Sequence, residues 1–292
     1  MAACFCFPRR QFLRAALAGG TALLAGCTPV SLINHLAPFR TYRATFDLPY
    51  GPGVRHCLDV YQPEDATGSA PVIVFFYGGH WNSGERSDYL FVGEALASRG
   101  YVAVIPDYRL YPDVRFPEFL NDCAQVVRWS FEHIAKFGGD PQRVFLMGHS
   151  AGAYNAAMLA LDPGYLHAAG VDPRRISGLI GLAGPYDFLP LTGGITKAVF
   201  GFPDTPATTQ PIYFASSSAP PVLLATGNEN DVVDPGNSRR LAARLRLNGA
   251  KVREIVYPHL GHRTLIGALA APLRRLGPVL DDVAAFVNQI LI

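Results

Sequence analysis

Seven apolar runs of strand length, separated by segments of helical period, set the strongest limit on how this chain can fold. They are "RHCLDVY" (Arg55 to Tyr61), "PVIVFFY" (Pro71 to Tyr77), "YVAVIPD" (Tyr101 to Asp107), "RVFLMG" (Arg143 to Gly148), "ISGLIGLAG" (Ile176 to Gly184), "PVLLATG" (Pro221 to Gly227) and "KVREIVYP" (Lys251 to Pro258). Between them, "YLFVGEALASRG", "FPEFLNDCAQVVRWSFEHIAKFG", "AYNAAMLALD" and "GNSRRLAARLRLNGA" place apolar residues at i, i+3 and i+4. A strand that is apolar on both sides has no face to give to water. Alternation of such strands with helices predicts the α/β class: a mostly parallel central sheet covered by helices on both faces. With 49% hydrophobic and 16% charged residues in 292, the chain can bury the core this requires.

The N-terminus follows another pattern. Arg9, Arg10 and Arg14 lead into an Ala/Leu/Gly stretch from Ala15 to Ala25, and Cys27 follows. That stretch is about half the roughly 20 residues needed to span a bilayer, which suits a signal h-region rather than a permanent span. Arg9-Arg10-Gln11-Phe12-Leu13-Arg14 with Leu24-Ala25-Gly26-Cys27 resembles a twin-arginine export signal joined to a bacterial lipobox. The resemblance implies a signal peptide over 1–26, lipidation of Cys27, and an exported protein anchored to a bacterial membrane, facing the periplasm or the exterior. Residues 27–40 then read as the lipidated cysteine and a tether, with Pro29 and Pro38 as breakers, ahead of one domain over 41–292. Of the five cysteines, Cys4 and Cys6 leave with the signal, and Cys57 and Cys123 remain as a disulfide or as two buried thiols.

In an open α/β sheet the chemistry gathers at the carboxyl ends of strands, where loops converge over helix N-termini. "VFLMGHSAGAYNAAMLA" puts Ser150 there, between a strand run and a small-residue helical segment. A bare Gly-x-Ser-x-Gly is weak; the strand before it and the helix after it give it weight, because a sharp turn at this point lifts a serine hydroxyl clear of the backbone. Such a serine needs a base. His262 and His259 both follow the last strand. His262 is preferred because Gly261 leaves it a flexible approach, whereas His259 sits tight against Pro258. The base needs an acid, and "ATGNENDVVDPGNS" offers Asp231 and Asp234. Asp231 lies nearer the strand end, and Asp234 before Pro235 reads as a cap or turn residue. Gly78 and Gly79 in "FFYGGHW" can expose backbone N–H groups to an oxyanion, and Ala151 supplies the N–H after the nucleophile.

"LDVYQP", "YGGHW", "PDYRLYP", "GHSAG" and "ENDVV", followed later by "GH", resemble in kind and order the landmarks of the α/β-hydrolase superfamily. The likeness is to its esterase group that includes hormone-sensitive lipase, carboxylesterases and kynurenine formamidase, and it runs from about Asp47 to the C-terminus. It implies the α/β-hydrolase fold, with Ser150 as nucleophile, His262 as general base and then acid, Asp231 as orienting acid, and Gly78, Gly79 and Ala151 as oxyanion hole. One departure is visible: Tyr77 stands where the group's oxyanion loop has His, and His80 stands at its third small position, with Trp81 retained. Tyr77, His80, Trp81 and Tyr154 are therefore pocket candidates, and the Gly/Pro-rich stretch 184–220, with its six aromatic residues, is a candidate lid or pocket wall.

The expected function is a serine carboxylesterase acting on small or short-acyl esters through an acyl-enzyme, with no cofactor and no metal. The same residues would also serve a small-molecule amidase or formamidase, and the fold alone would serve a non-catalytic surface-binding lipoprotein. A net charge of +2 without a long basic run gives no reason to expect nucleic acid as a partner.

Overall fold

The structure, a computed structural model, describes residues 29–65 and 68–290. The expected signal peptide over 1–26 and the expected anchor at Cys27 lie outside those residues. All seven strands expected from the sequence are present, at β2 (Cys57–Pro63), β3 (Ala70–Phe76), β4 (Val102–Pro106), β5 (Gly139–His149), β6 (Ile176–Leu182), β7 (Val222–Gly227) and β8 (Val252–Tyr257). An eighth, β1 (Tyr42–Pro49), pairs antiparallel with β2 at the sheet edge. It escapes sequence reading because an edge strand is held by its backbone ladder, and its side chains alternate irregularly between half-buried and exposed.

The strand order is β1-β2-β4-β3-β5-β6-β7-β8. β2 runs antiparallel to β4, and every pair from β4 to β8 is parallel. The tether region carries a short helix, α1 (Pro29–His35), in place of featureless chain. Seven residues are too few to display a helical period. It is held from outside, since Asn34 donates to the carbonyls of Ser87 and Asp88 and accepts from the Phe91 N–H.

The helices expected from the sequence are α2 (Leu90–Ala97), α3 (Glu118–His133), α4 (Ala151–Leu161) and α7 (Gly236–Leu247), with α9 (Val279–Ile290) closing the chain. Three short helices complete the set: α5 (Pro163–Ala168), α6 (Gly194–Phe200) and α8 (His262–Gly267). From β3 the chain crosses to β4 on one side, and from β5 it proceeds to β6 on the other. Strand order therefore reverses between β3 and β5, and a crevice opens above their carboxyl ends. Cys57 and Cys123 form no disulfide, and the buried Cys123 thiol accepts from the Asn155 side chain.

One ionic cluster ties the antiparallel edge to this crevice. Arg86 pairs with Asp47, Asp59 and Asp107, of which Asp59 and Asp107 are buried. Burial pushes the Asp59 carboxyl up in spite of Arg86, so desolvation outweighs attraction there. The cluster thus fixes geometry more than it adds stability. Replacing the guanidinium would leave two carboxylates buried without their partner. Arg86→Met is expected to lower the unfolding free energy by about 3–5 kcal/mol in urea titration; an unchanged midpoint would show that the carboxylates are solvated or protonated.

Candidate active site

Ser150 links β5 to α4 with φ 56° and ψ −124°, a backbone conformation that L-residues rarely hold. The strain persists because the flanking glycines permit a close approach. A Cβ on Gly148 would lie 2.2 Å from the Gly152 carbonyl oxygen, and one on Gly152 would lie 2.0 Å from the Phe76 oxygen. The Ser150 N–H donates to the Leu182 carbonyl on β6 at 2.9 Å. Its Oγ has no hydrogen-bond partner among the described residues and opens onto a cavity of about 500 Å³ lined also by His80, Trp81, Phe188 and Val232.

His262 opens α8 and is buried. Its ring lies tilted, 4.6 Å from that of His149, the residue before the serine, and the His149 Nε2–H donates to the His262 carbonyl at 3.0 Å. His149 was not singled out from the sequence, where it occupies a variable x position of the motif. Burial holds His149 down at about 3, aided by His262. Burial, then His80, holds His262 down at about 4, against an opposing pull from Asp231. Both rings are neutral at neutral pH. His259, the rival base, is a surface residue whose ring faces Glu229 at 3.2 Å.

The hydrogen-bond partner of His262 is not the carboxylate expected from the sequence. His262 Nδ1 lies 3.1 Å from Oδ1 of Asn230, whereas Asp231 is exposed and makes no hydrogen bond among the described residues. The reason is a tight turn: Asn230 Oδ1 also accepts the N–H groups of Val232 and Val233, which folds the loop so that Asn230 points inward and Asp231 outward. Asn at the start of such a turn was a readable signal; a search restricted to carboxylates passes over it. Asp234 accepts the Gly236 N–H just ahead of α7, the turn role expected of it.

The oxyanion loop after β3 carries Gly79, His80 and Trp81 at φ 122°, 53° and 60°, so its backbone strain adjoins that of Ser150. The N–H groups of Gly79 and His80 make no hydrogen bond among the described residues, and Ala151 opens α4, where helical N–H groups have no partner within the helix. Gly78 precedes them, and a Cβ there would lie 2.9 Å from that of Ser150, so the loop meets the elbow at this glycine. The His80 N–H, which like that of Gly79 makes no hydrogen bond among the described residues, was not singled out from the sequence.

Tyr77 is likewise no wall of the cavity. It is fully buried, stacked 4.8 Å from Tyr108, and its hydroxyl donates to Asp107 at 2.9 Å while accepting from Arg55. It braces the loop from beneath. Tyr154 is also fully buried and does not line the cavity; its hydroxyl donates to the Thr209 carbonyl, and its ring meets Trp81 edge-on. Trp81 lines the cavity and is fixed by its Nε1–H to Asn155 Oδ1 at 3.0 Å. Within 184–220, Phe188, Leu189, Thr192 and Ile195 form the opposite wall, closed at the rim by Arg240, which pairs with Asp187 and Asp234. A larger cavity, about 780 Å³ around Val171, Asp172 and Ile176, contains neither a serine elbow nor a buried histidine. Among the described residues no cluster of His, Cys, Asp or Glu is grouped to hold a metal ion.

A strained serine at the end of a parallel strand, with a buried histidine ring packed on the residue before it, in this strand order, defines an α/β-hydrolase. The BD-FAE family profile matches residues 58–245, and the chain belongs to that family. Among similar proteins, the probable isoprenylcysteine alpha-carbonyl methylesterase ICMEL1 of Arabidopsis thaliana is 27% identical over 82% of this chain and 54% of its own length. Esterase LipQ of Mycobacterium tuberculosis (strain ATCC 25618 / H37Rv) is 30% identical over 81% and 61%. The chain thus spans little more than half the length of these curated relatives. Its fold is similar to that of a truncated carbohydrate esterase from gut microbiota, with TM-score 0.75 and 19% identity, covering 87% of this chain and 98% of that one. Thermogutta terrifontis esterase 2 aligns with TM-score 0.69 and 22% identity over 87% and 96%.

A base must be neutral to take a proton, so serine reactivity falls as pH drops through the His262 pKa. The rate of labelling by a fluorophosphonate is expected to hold from neutral pH downward and to halve near pH 4. A half-point near the ordinary histidine value of 6.5 would contradict the buried setting of His262.

Proposed function

We propose that this protein is a serine carboxylesterase that hydrolyses small or short-acyl esters through an acyl-enzyme. The observation that carries the reading is the Ser150 Oγ at a strained elbow, open to a cavity of about 500 Å³, with the His262 ring packed 4.6 Å from that of His149, the residue before Ser150. Ser150 Oγ attacks the ester carbonyl carbon as its proton passes to His262 Nε2, and the carbonyl electron pair moves onto oxygen. The Ala151 N–H, with Gly79 or His80, faces that oxyanion. Collapse breaks the bond to the alkoxy group, which takes the proton from Nε2 and leaves as the alcohol. Water then repeats the sequence on the acyl-serine and releases the acid. The cavity walls of Trp81 and Phe188 suit a compact apolar acyl or alcohol group, and the names of the curated relatives, methylesterase and esterase, support ester chemistry.

Anchoring through Cys27 is part of the same proposal and rests on the Leu24-Ala25-Gly26-Cys27 pattern. Cys27→Ser is expected to move the protein from the membrane fraction to the soluble fraction; unchanged fractionation would sink the anchor.

Hydrolysis of p-nitrophenyl esters from acetate to decanoate tests the activity. Turnover is expected to peak at the short chains and to fall by at least about 10⁴-fold in Ser150→Ala. Equal turnover on matched anilides would replace the esterase by an amidase, and inertness to every ester and to a fluorophosphonate would refute a serine hydrolase.

A further inference from the structure

We propose that Asn230 is the positioning residue for His262 in a triad that has no carboxylate in contact, so that the imidazolium formed during acyl transfer meets a neutral amide. The proposal deepens the esterase reading and rests on it. An amide can face a histidine with either end. Its NH₂ end would make Nδ1 an acceptor and put the proton on Nε2, where it would block uptake of the serine proton. Here the orientation is decided by the neighbours. Oδ1 receives the Val232 N–H at 3.1 Å and the Val233 N–H at 3.0 Å, while Nδ2 is directed at Thr226 Oγ1 at 3.4 Å. A flipped amide would set its NH₂ against two N–H donors. Oδ1 is therefore the end presented to His262, which must carry its proton on Nδ1 and keep Nε2 unprotonated, as a base for the serine requires.

The amide supplies the tautomer without the charge. The titratable and charged groups acting on His262 are His80 from the oxyanion loop, His149 from the end of β5, Asp231 from the loop after β7, and Arg263 on α8 itself. Asp231 alone is negative, and it is exposed, so solvent screens its attraction. Burial of His262 with no carboxylate in contact agrees with its depressed pKa.

Steady-state kinetics across pH and imidazole ¹⁵N NMR on the whole protein, with Asn230→Asp, Asn230→Ala and Asp231→Asn variants, test this. Asn230→Asp is expected to raise kcat/KM by about tenfold or more and to move the acid half-point upward, because an anion in contact favours the imidazolium. Asn230→Ala is expected to lower kcat/KM by about a hundredfold or more and to release the tautomer. Asp231→Asn should change it by less than about threefold. The NMR signature expected in wild type is Nδ1–H. Four results would overturn the proposal: wild-type His262 protonated on Nε2, Asn230→Asp leaving rate and half-point in place, Asp231→Asn costing as much as Asn230→Ala, or an intact mass showing that position 230 is already the acid. If no ester is turned over, the esterase reading fails, yet the His262 tautomer and titration still decide the role of Asn230.

Discussion

The site depends on one close approach, between the first turn of α4 and the carboxyl end of β3. Gly152 lies against the carbonyls of Phe76 and Tyr77, where a Cβ would come within 2.0 and 2.4 Å of their oxygens. That contact brings the N–H of Ala151 and the loop beginning at Tyr77 to the same point above the sheet, with Ser150 between them. Close packing of this kind leaves no slack for a side chain and holds the strained φ of Ser150, which a looser turn would relax. The strand order adds the crevice, because β3 and β5 are neighbours whose chains depart in opposite directions.

Around that contact the supports are polar and buried. The Tyr77 hydroxyl, Asp107, Arg55 and Arg86 form a continuous network beneath the oxyanion loop, and the Tyr89 ring stacks 5.4 Å from that of Tyr77. The departure in which Tyr replaces His at position 77 thus has a structural counterpart: the loop is braced by a phenol bonded to a carboxylate. His80, in the same loop, disfavours the protonated form of His262. Electrostatics around His262 therefore lean toward the neutral ring, through burial and through His80, with Asn230 adding no charge.

The cavity is assembled from distant parts of the chain. One wall is the oxyanion loop with Trp81, steadied by Asn155 on α4; the other is the irregular segment after β6. The aromatic residues of that segment divide by role. Phe188 lines the cavity, whereas Phe200 packs edge-on against Trp81 and Tyr154 behind it. The rim is charged, with Arg240 between Asp187 and Asp234, so the apolar interior opens through a polar mouth.

What was legible in the sequence is what short-range physics dictates. Near-continuous apolar strands alternating with helical periods required a covered parallel sheet, and Gly148 and Gly152 around Ser150 marked a turn that few other residues permit. The edge strand β1 was not legible, because its stability comes from backbone pairing with β2. Side-chain direction around the site was not legible either. Tyr77 and Tyr154 proved to be braces, and of two adjacent residues Asn230 turned inward and Asp231 outward. That choice belongs to tertiary structure, since it follows from the N–H groups of Val232 and Val233 capturing one oxygen and from a partner 32 residues away on α8. Composition and periodicity specify which segments are buried; only the folded loop specifies which atom faces the histidine.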